Sequence, residues 1–552
     1  MMPDTISPLD ELRLPQAGEK KNWTNLYGTA RWLALSKAIA QSSRPFVVFT
    51  SDIASALKIE QELRFFDPSI VIHHFPDWET LPYDRFSPYQ DIISERLTTL
   101  SLIPEFRKEI LIVSVQTAMH RVVPSEWVAS HSFSLVKGEV LDREKFRKKL
   151  VDNGYRSSPQ VSESGEYAIR GSLIDVFPVG SDNPIRIDFF DNEIETLRMF
   201  DVETQRSTQE VKEIRVLPGK EFLLDQSGVS RFRRQWRTEF GQFHDVDLYR
   251  DVSEGLPPPG IEYYLPLFHD RMELLADYFS EDTICVFDEN IEKTADQFWT
   301  SVEERHEALK DDTNRPVLEP SQVFCKFEGL LTATEKFGLI FLTGLNTGLA
   351  ESSIFGTRTP LSRSIDARAK DPFALVKNHV DHSDGRTLFL AESLGRREAI
   401  LDLLHGQKIT LKVFDSWAQF VRSSDRFGIA VAAIEDGAEI DRPRISLITE
   451  SQLFGKRLEQ RQRKKRRNSH ENIIKNLTEL RLDAPVVHEH HGIGRYQGLE
   501  VLNIGDIERE FIQLEYRDGD KLYVPVASLE LISRYSGSDP DTAPLHKLGT
   551  EQ

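Results

Sequence analysis

Hydrophobic and polar positions change rhythm several times along this chain. Between residues 25 and 123, short apolar runs alternate with helical patterns. LYGTARWLALSKAIAQ reads as an amphipathic helix, PFVVFTS as a short buried strand and DIASALKIEQELRFF as a second helix; EILIVSVQTAMHRVV reads as strand then helix. This β–α alternation predicts a parallel sheet with helices on its faces. From about 125 to 217 the period falls to two, in GEYAIRGSLIDVF, NPIRIDFF and EIETLRMFD. Asp191-Asn192 separates two of these runs, and both residue types accept the left-handed backbone of a tight hairpin.

The pattern predicts a multidomain α/β chain. An α/β domain formed by 1–124 and 218–350 is interrupted by a small α+β domain at 125–217. The polar stretch ESSIFGTRTPLSRSIDARAK, 351–370, reads as a linker. Residues 371–450 read as a second small α/β domain, with RTLFLAES and RISLITES as strands, and 451–479 as a basic helical linker. Residues 480–547 are strand-rich, with FIQLEY and KLYVPV flanking an RDGD hairpin signal. Short strands around such a turn predict a small Tudor-like or SH3-like barrel.

Composition narrows the function classes. A chain of 552 residues is too long for one core, and about three to five domains are expected. No apolar run reaches the roughly 18 residues that span a bilayer, and MMPDTISPLDELRLPQ lacks a signal layout. Two cysteines, Cys285 and Cys325, are too few for a disulfide framework and fit a reducing cytoplasm. Net charge is −19, from 69 basic and 88 acidic residues, which argues against a surface that wraps nucleic acid. The run KRLEQRQRKKRR at 456–467 is the local exception, with eight basic residues against one acid. It reads as a solvated linker helix or as a weak DNA contact.

Catalytic signatures are sparse. A nucleotide motor needs a glycine-rich turn ending in Gly-Lys-Ser/Thr, whose amides and lysine cradle phosphates. The stretch entering the first helix, LYGTARW, has no Lys-Ser/Thr pair, and GKE at 219 and GKR at 455 lack the hydroxyl. His488, His490 and His491 in VVHEHHGIGRY have no second histidine at HExxH spacing and no neighbouring cysteine, so packing or surface histidines are favoured over zinc. No cofactor and no metal are expected. The chain reads as non-catalytic.

One sheet face has docking chemistry. In IRIDFF, alternation places Ile185, Ile187 and Phe189 on one side and Arg186, Asp188 and Phe190 on the other. An arginine and a phenylalanine flanking an aspartate on the outer side make a docking patch, which Arg170 joins if its strand pairs nearby. The alternative is surface ion pairs, with Phe190 packed under a loop. In the last unit Leu499, Val501 and Leu502 are candidate edge-strand positions, where a partner can add a strand; at least one of them is expected to be barrel core.

Three stretches carry a family resemblance: FPDWETLPYDRFSPYQDIISERL (75–97), GEYAIRGSLIDVFPVGSDNPIRIDFFDNEIETLRMFDVETQRS (165–207) and HGIGRYQGLEVL…YVPVASLELISRYSG (491–537). Together they resemble bacterial transcription-repair coupling factors over nearly the whole chain. The first two are also similar to UvrB, and the third to the polymerase-interacting domain of CarD-type regulators. The resemblance implies a UvrB-like, P-loop-type first domain whose phosphate loop is degenerate at Tyr27–Arg31. It implies that the inserted domain binds UvrA through Arg170, Arg186 and Phe190, and that the C-terminal barrel binds the β subunit of RNA polymerase. In the longer family proteins an ATP-driven DNA translocase follows a segment like APLHKLGTEQ, where this chain stops. The expectation is a cytoplasmic adaptor that recruits UvrA to stalled polymerase. The alternatives are an ATP-dependent translocase or helicase, and sequence-independent DNA binding through the basic run. No role is assigned to 371–450.

Overall fold

The computed structural model describes residues 5–241, 246–344, 352–360, 365, 371–454, 484–488, 492–504, 507–525, 532–534 and 545. Two compact units divide the chain, Met1–Arg457 and Leu458–Gln552. The first is built on a seven-stranded sheet in the order Ser352–Ile354, Lys20–Thr24, Gly338–Leu342, Ile284–Phe287, Phe46–Thr50, Ile110–Ser114, Ile72–His74. Every neighbouring pair is parallel. Strands Phe46–Thr50 and Ile110–Ser114 are buried at all positions, as expected of parallel strands covered on both faces. Alternation sends Val47, Phe49, Leu111 and Val113 into one core and Phe46, Val48, Ile110 and Ile112 into another. Strand Ile284–Phe287 lies between strands from the two ends of the unit, so the chain after the interruption completes a sheet begun before it.

The interruption holds a six-stranded sheet in the order Ser207–Val211, Glu193–Phe200, Ile185–Phe190, Leu173–Val176, Glu166–Arg170, Arg156–Ser157. Asp191, at φ 53°, turns the tight hairpin between Phe190 and Glu193. The inner face contributes Tyr167, Ile174, Val176, Ile185, Ile187, Phe189, Ile194 and Leu197 to the first of the two cores. The segment FPDWETLPYDRF is fastened to the chain beyond the insertion by a buried cluster. Arg96 donates to Glu221 at 3.1 Å and lies over the Phe75 and Trp78 rings, while Trp78 Nε1 donates to the same carboxylate at 3.0 Å.

Two expectations change. The 351–370 stretch is not simply a linker: Ser352–Ile354 adds a strand to the first sheet and Thr357–Arg358 opens the next one. Its backbone has partners that its polar composition hides. Asn25 Nδ2 donates to the Phe355 and Thr357 carbonyls at 2.6 and 3.0 Å, and Phe355 is fully buried against Trp23. The helix predicted as amphipathic, Ala30–Ala40, is buried on nearly every side, because it lies between the first sheet and a third. That third sheet has the order Thr357–Arg358, Ala438–Ile440, Ile445–Thr449, Arg386–Ala391, Phe427–Val431, Lys412–Val413. Its Leu388 and Leu447, with Trp417 of the Trp417–Arg422 helix, share the second core with Leu33, Ile59 and Phe66.

In the second unit five strands pair antiparallel in the order Lys521–Pro525, Ile507–Glu515, Gly492–Ile504, Pro485–His488, Ile532–Arg534. The predicted RDGD hairpin is present, with Arg517–Gly519 forming its turn. One strand is far from short: Gly492–Ile504 runs 13 residues. The basic run 456–467, together with His490 and His491, lies outside the described residues; His488 is buried in its strand.

Candidate functional site

The outer face of the inserted sheet is set by register. Residues directly opposite one another in an antiparallel ladder share a face. Ala168, Asp175, Arg186 and Arg198 therefore form one row. Arg170, Leu173 and Asp188 form the next, and Phe190 with Glu193 the one beyond. The strand bearing Arg170 is two places from that bearing Phe190, so Arg170, Arg186 and Phe190 are brought to the same face.

Their chemical situations differ. Phe190 is 68% exposed although its neighbour Phe189 is buried at 4%; it does not pack under a loop. Arg170 is exposed, donates to the Pro159 carbonyl at 3.0 Å, and meets no carboxylate among the described residues. Arg186 is committed internally. Its Nε and Nη2 donate to the two oxygens of Asp175 at 2.8 and 2.9 Å, Nη1 donates to the Gln205 carbonyl at 3.2 Å, and the guanidinium covers the Phe200 ring. Asp175 is 1% exposed, and its hydrogen bonds raise the Arg186 pKa above the usual value. This forked pair gives Arg186 a fixed orientation and a structural duty. Arg186 is thus ion-paired, though to a buried aspartate rather than at the surface, whereas Arg170 and Phe190 remain open for contact. Sequence reading missed Asp175 and Phe200, although strict alternation in SLIDVF puts Asp175 on the outer side.

A second place to look for chemistry is the cleft at the carboxyl ends of the parallel strands, where open α/β sheets hold their ligands. Here the chain fills it. The turn between strand Lys20–Thr24 and the Ala30–Ala40 helix presents Gly28 at φ 51°, and a Cβ on Gly28 would lie 2.1 Å from the Gly437 carbonyl oxygen. Thr29 N–H donates to the Asp436 carbonyl at 2.9 Å and Tyr27 N–H to the Thr357 hydroxyl at 3.1 Å. Two amides at the start of the helix are thereby bonded to protein oxygens. Arg31 reaches Asp288 at 3.1 Å and Glu289 at 3.4 Å. Burial pushes the nearby Glu62 carboxyl up to about 7 and raises Asp288 as well. Asp288 and Glu289 already neutralise Arg31, and no spare positive charge is left there for a phosphate.

In the C-terminal sheet, Leu499, Val501 and Leu502 stand opposite Ile512, Glu510 and Arg509. Strand Pro485–His488 reaches only as far as Arg495 along their strand, so among the described residues the 499–504 backbone has a strand partner on one side alone. Val501 and Leu502 belong to a two-stranded ribbon that continues past the sheet, whereas Leu499 lies opposite Ile512, which also pairs with Val524.

Comparisons with known proteins agree with this layout. Residues 133–222 match the UvrB interaction domain, 379–453 the D3 domain of MFD, and 480–536 the CarD-like/TRCF RID domain. The transcription-repair-coupling factors of Haemophilus influenzae and Escherichia coli are each 38% identical to the chain over 97% of its length, and that of Staphylococcus aureus MRSA252 is 26% identical over 95%. The chain spans about half the length of these relatives, 47%, 47% and 46% respectively. No described helix is long and apolar enough to cross a membrane. With three characteristic domains in order and near-complete alignment, this chain belongs to the transcription-repair-coupling factor family.

Proposed function

We propose that the chain is a transcription–repair coupling adaptor with two protein-docking modules. The inserted domain binds UvrA through its outer face, with Phe190 as apolar anchor and Arg170 as the available cation, while Arg186 shapes the face through Asp175. The observation that carries this reading is Phe190: a large ring left 68% exposed on a sheet face, near an arginine with no carboxylate partner among the described residues, is the composition of an interface anchor. The C-terminal strands close into a small barrel whose 499–504 ribbon lends its free backbone edge to the β subunit of RNA polymerase, by strand addition. The basic run adds a weak, salt-sensitive contact with DNA.

The filled cleft favours this over nucleotide turnover by the first domain. A bound phosphate would have to displace the Asp436 and Thr357 oxygens and sit among Glu62, Asp288 and Glu289. The deciding experiment is a pull-down of purified UvrA by the chain carrying Arg170→Ala and Phe190→Ala, with folding checked by circular dichroism. Loss of capture is expected, and undiminished capture overturns the assignment. Arg186 is left unaltered, because removing it strands Asp175. At the other end, Leu502→Arg is expected to weaken polymerase binding in a titration; unchanged affinity overturns the ribbon as the contact.

A further inference from the structure

The row containing Phe190 does not stop at Glu193. Beyond it, on the other side of the same strand, the segment preceding the Arg143–Asp152 helix pairs as an additional short rung. Val140 stands opposite Glu193, with Gly138 N–H donating to the Ile194 carbonyl, Ile194 N–H to the Glu139 carbonyl and Leu141 N–H to the Asn192 carbonyl. Leu141 packs against the inner core, as does Ile194, so alternation turns Val140 to the same side as Glu193 and Phe190. Val140 is 74% exposed. Two bare apolar side chains therefore flank one glutamate in a single row, about 10 Å apart across two strand spacings.

The same segment brings a second cation. Arg143 opens the helix, and its Nη1 lies 3.5 Å from the carbonyl of Gly171, the residue that follows Arg170 in the neighbouring hairpin. Like Arg170, it meets no carboxylate among the described residues. A guanidinium bonded only to a carbonyl keeps its full charge and spare donors for an incoming acid.

We propose that the docking face extends past the sheet proper to Val140 and Arg143, making a four-cornered site of Phe190, Val140, Arg170 and Arg143. This rests on the assignment of the face to UvrA. Its complement is a protein surface with an apolar ridge bordered along one side by carboxylates: the ridge covers Phe190 and Val140, and the acids pair with the two arginines. Charge complementarity selects that occupant, since both free cations lie at one edge of the apolar pair. The segment 138–143 is thus a second contributor to recognition, separated in sequence from the strands that supply the rest.

The test is a biolayer titration of purified UvrA against the full chain carrying Val140→Asp, Val140→Ser or Arg143→Ala, with Arg170→Ala/Phe190→Ala for comparison and Val413→Asp as an exposed control elsewhere. Thermal melting establishes folding, and Val140→Ser decides the matter should the aspartate variant melt early. Affinity is expected to fall about tenfold for Val140→Asp and about threefold for Arg143→Ala, on the scale of interface anchors and rim charges. Wild-type affinity in the folded Val140 and Arg143 variants, with binding lost in Arg170→Ala/Phe190→Ala, overturns the extension and leaves the face itself standing. Wild-type affinity in every variant overturns both.

Discussion

The outer face of the inserted sheet and the cleft of the first sheet are opposites. The cleft lies where an α/β fold ordinarily holds a ligand, yet the protein occupies it with its own carbonyls, a salt-bridged arginine and a glycine–glycine approach. The sheet face leaves a phenylalanine exposed and holds a cation that, among the described residues, meets a carbonyl and no carboxylate. On the proposed reading, fold position is a poor guide to where this molecule docks its partner, and exposed, uncommitted chemistry is the better one. The stretch 379–453, which matches the D3 domain, gains a structural role from the same contrast. Its loop supplies the Asp436 and Gly437 oxygens that seal the cleft, and its Trp417 packs on Phe66.

The contrast can be broken at several points. Arg186→Ala should have the largest effect. It leaves Asp175 buried and uncompensated, and a loss of about 3–5 kcal/mol is expected in urea unfolding; a loss under 1 kcal/mol would make Arg186 a contact residue rather than a strut. Gly28→Ala comes next, because φ 51° and the 2.1 Å approach to Gly437 oppose a side chain. A drop of about 1–3 kcal/mol is expected, and an unchanged midpoint would mean the cleft is looser than described.

The third effect concerns pH. Glu62 holds its proton up to about 7 in the folded chain against 4.5 ordinarily. The folded state then binds more protons than the unfolded one between those values, so stability falls as pH rises through this window. Glu62→Gln should flatten the decline in melting temperature between pH 5 and 8 and melt higher than the parent at pH 8. The buried Glu262 titrates in the same range, so the difference between variant and parent, rather than the parent's own slope, is the measurement. A slope identical to the parent's would remove Glu62 from the sealed cleft. The smallest effect belongs to Phe190→Ser, expected within about 0.5 kcal/mol of the parent; a large destabilisation would show that the ring packs after all.

Much of this was legible in the sequence, for reasons that can be named. Period-two alternation fixed the faces of IRIDFF, and the Asp191-Asn192 turn fixed its hairpin, since both signals are local. The seven-stranded sheet was readable as β–α alternation resumed after the interruption, but not the strand that Ser352–Ile354 adds to it, whose partner lies hundreds of residues away. Arg186 was taken as exposed because Asp175 is eleven residues upstream and faces it only once the strands pair. Val140 gave no signal at all: a valine in GEVLD looks like any loop residue until its bridge to Glu193 forms. The ESSIFGTR stretch failed as a linker because polar side chains said nothing about where its backbone amides go.

Strand Phe46–Thr50 has a final implication. Its odd and even side chains feed different interiors, one continuous with the inserted sheet and the other with the third. A single five-residue ribbon is thus a party wall between two rooms, and neither can be vacated while the other stays furnished. Heating should accordingly melt the stretch up to residue 457 in one cooperative step, with the amides of this wall among the last to exchange their hydrogens.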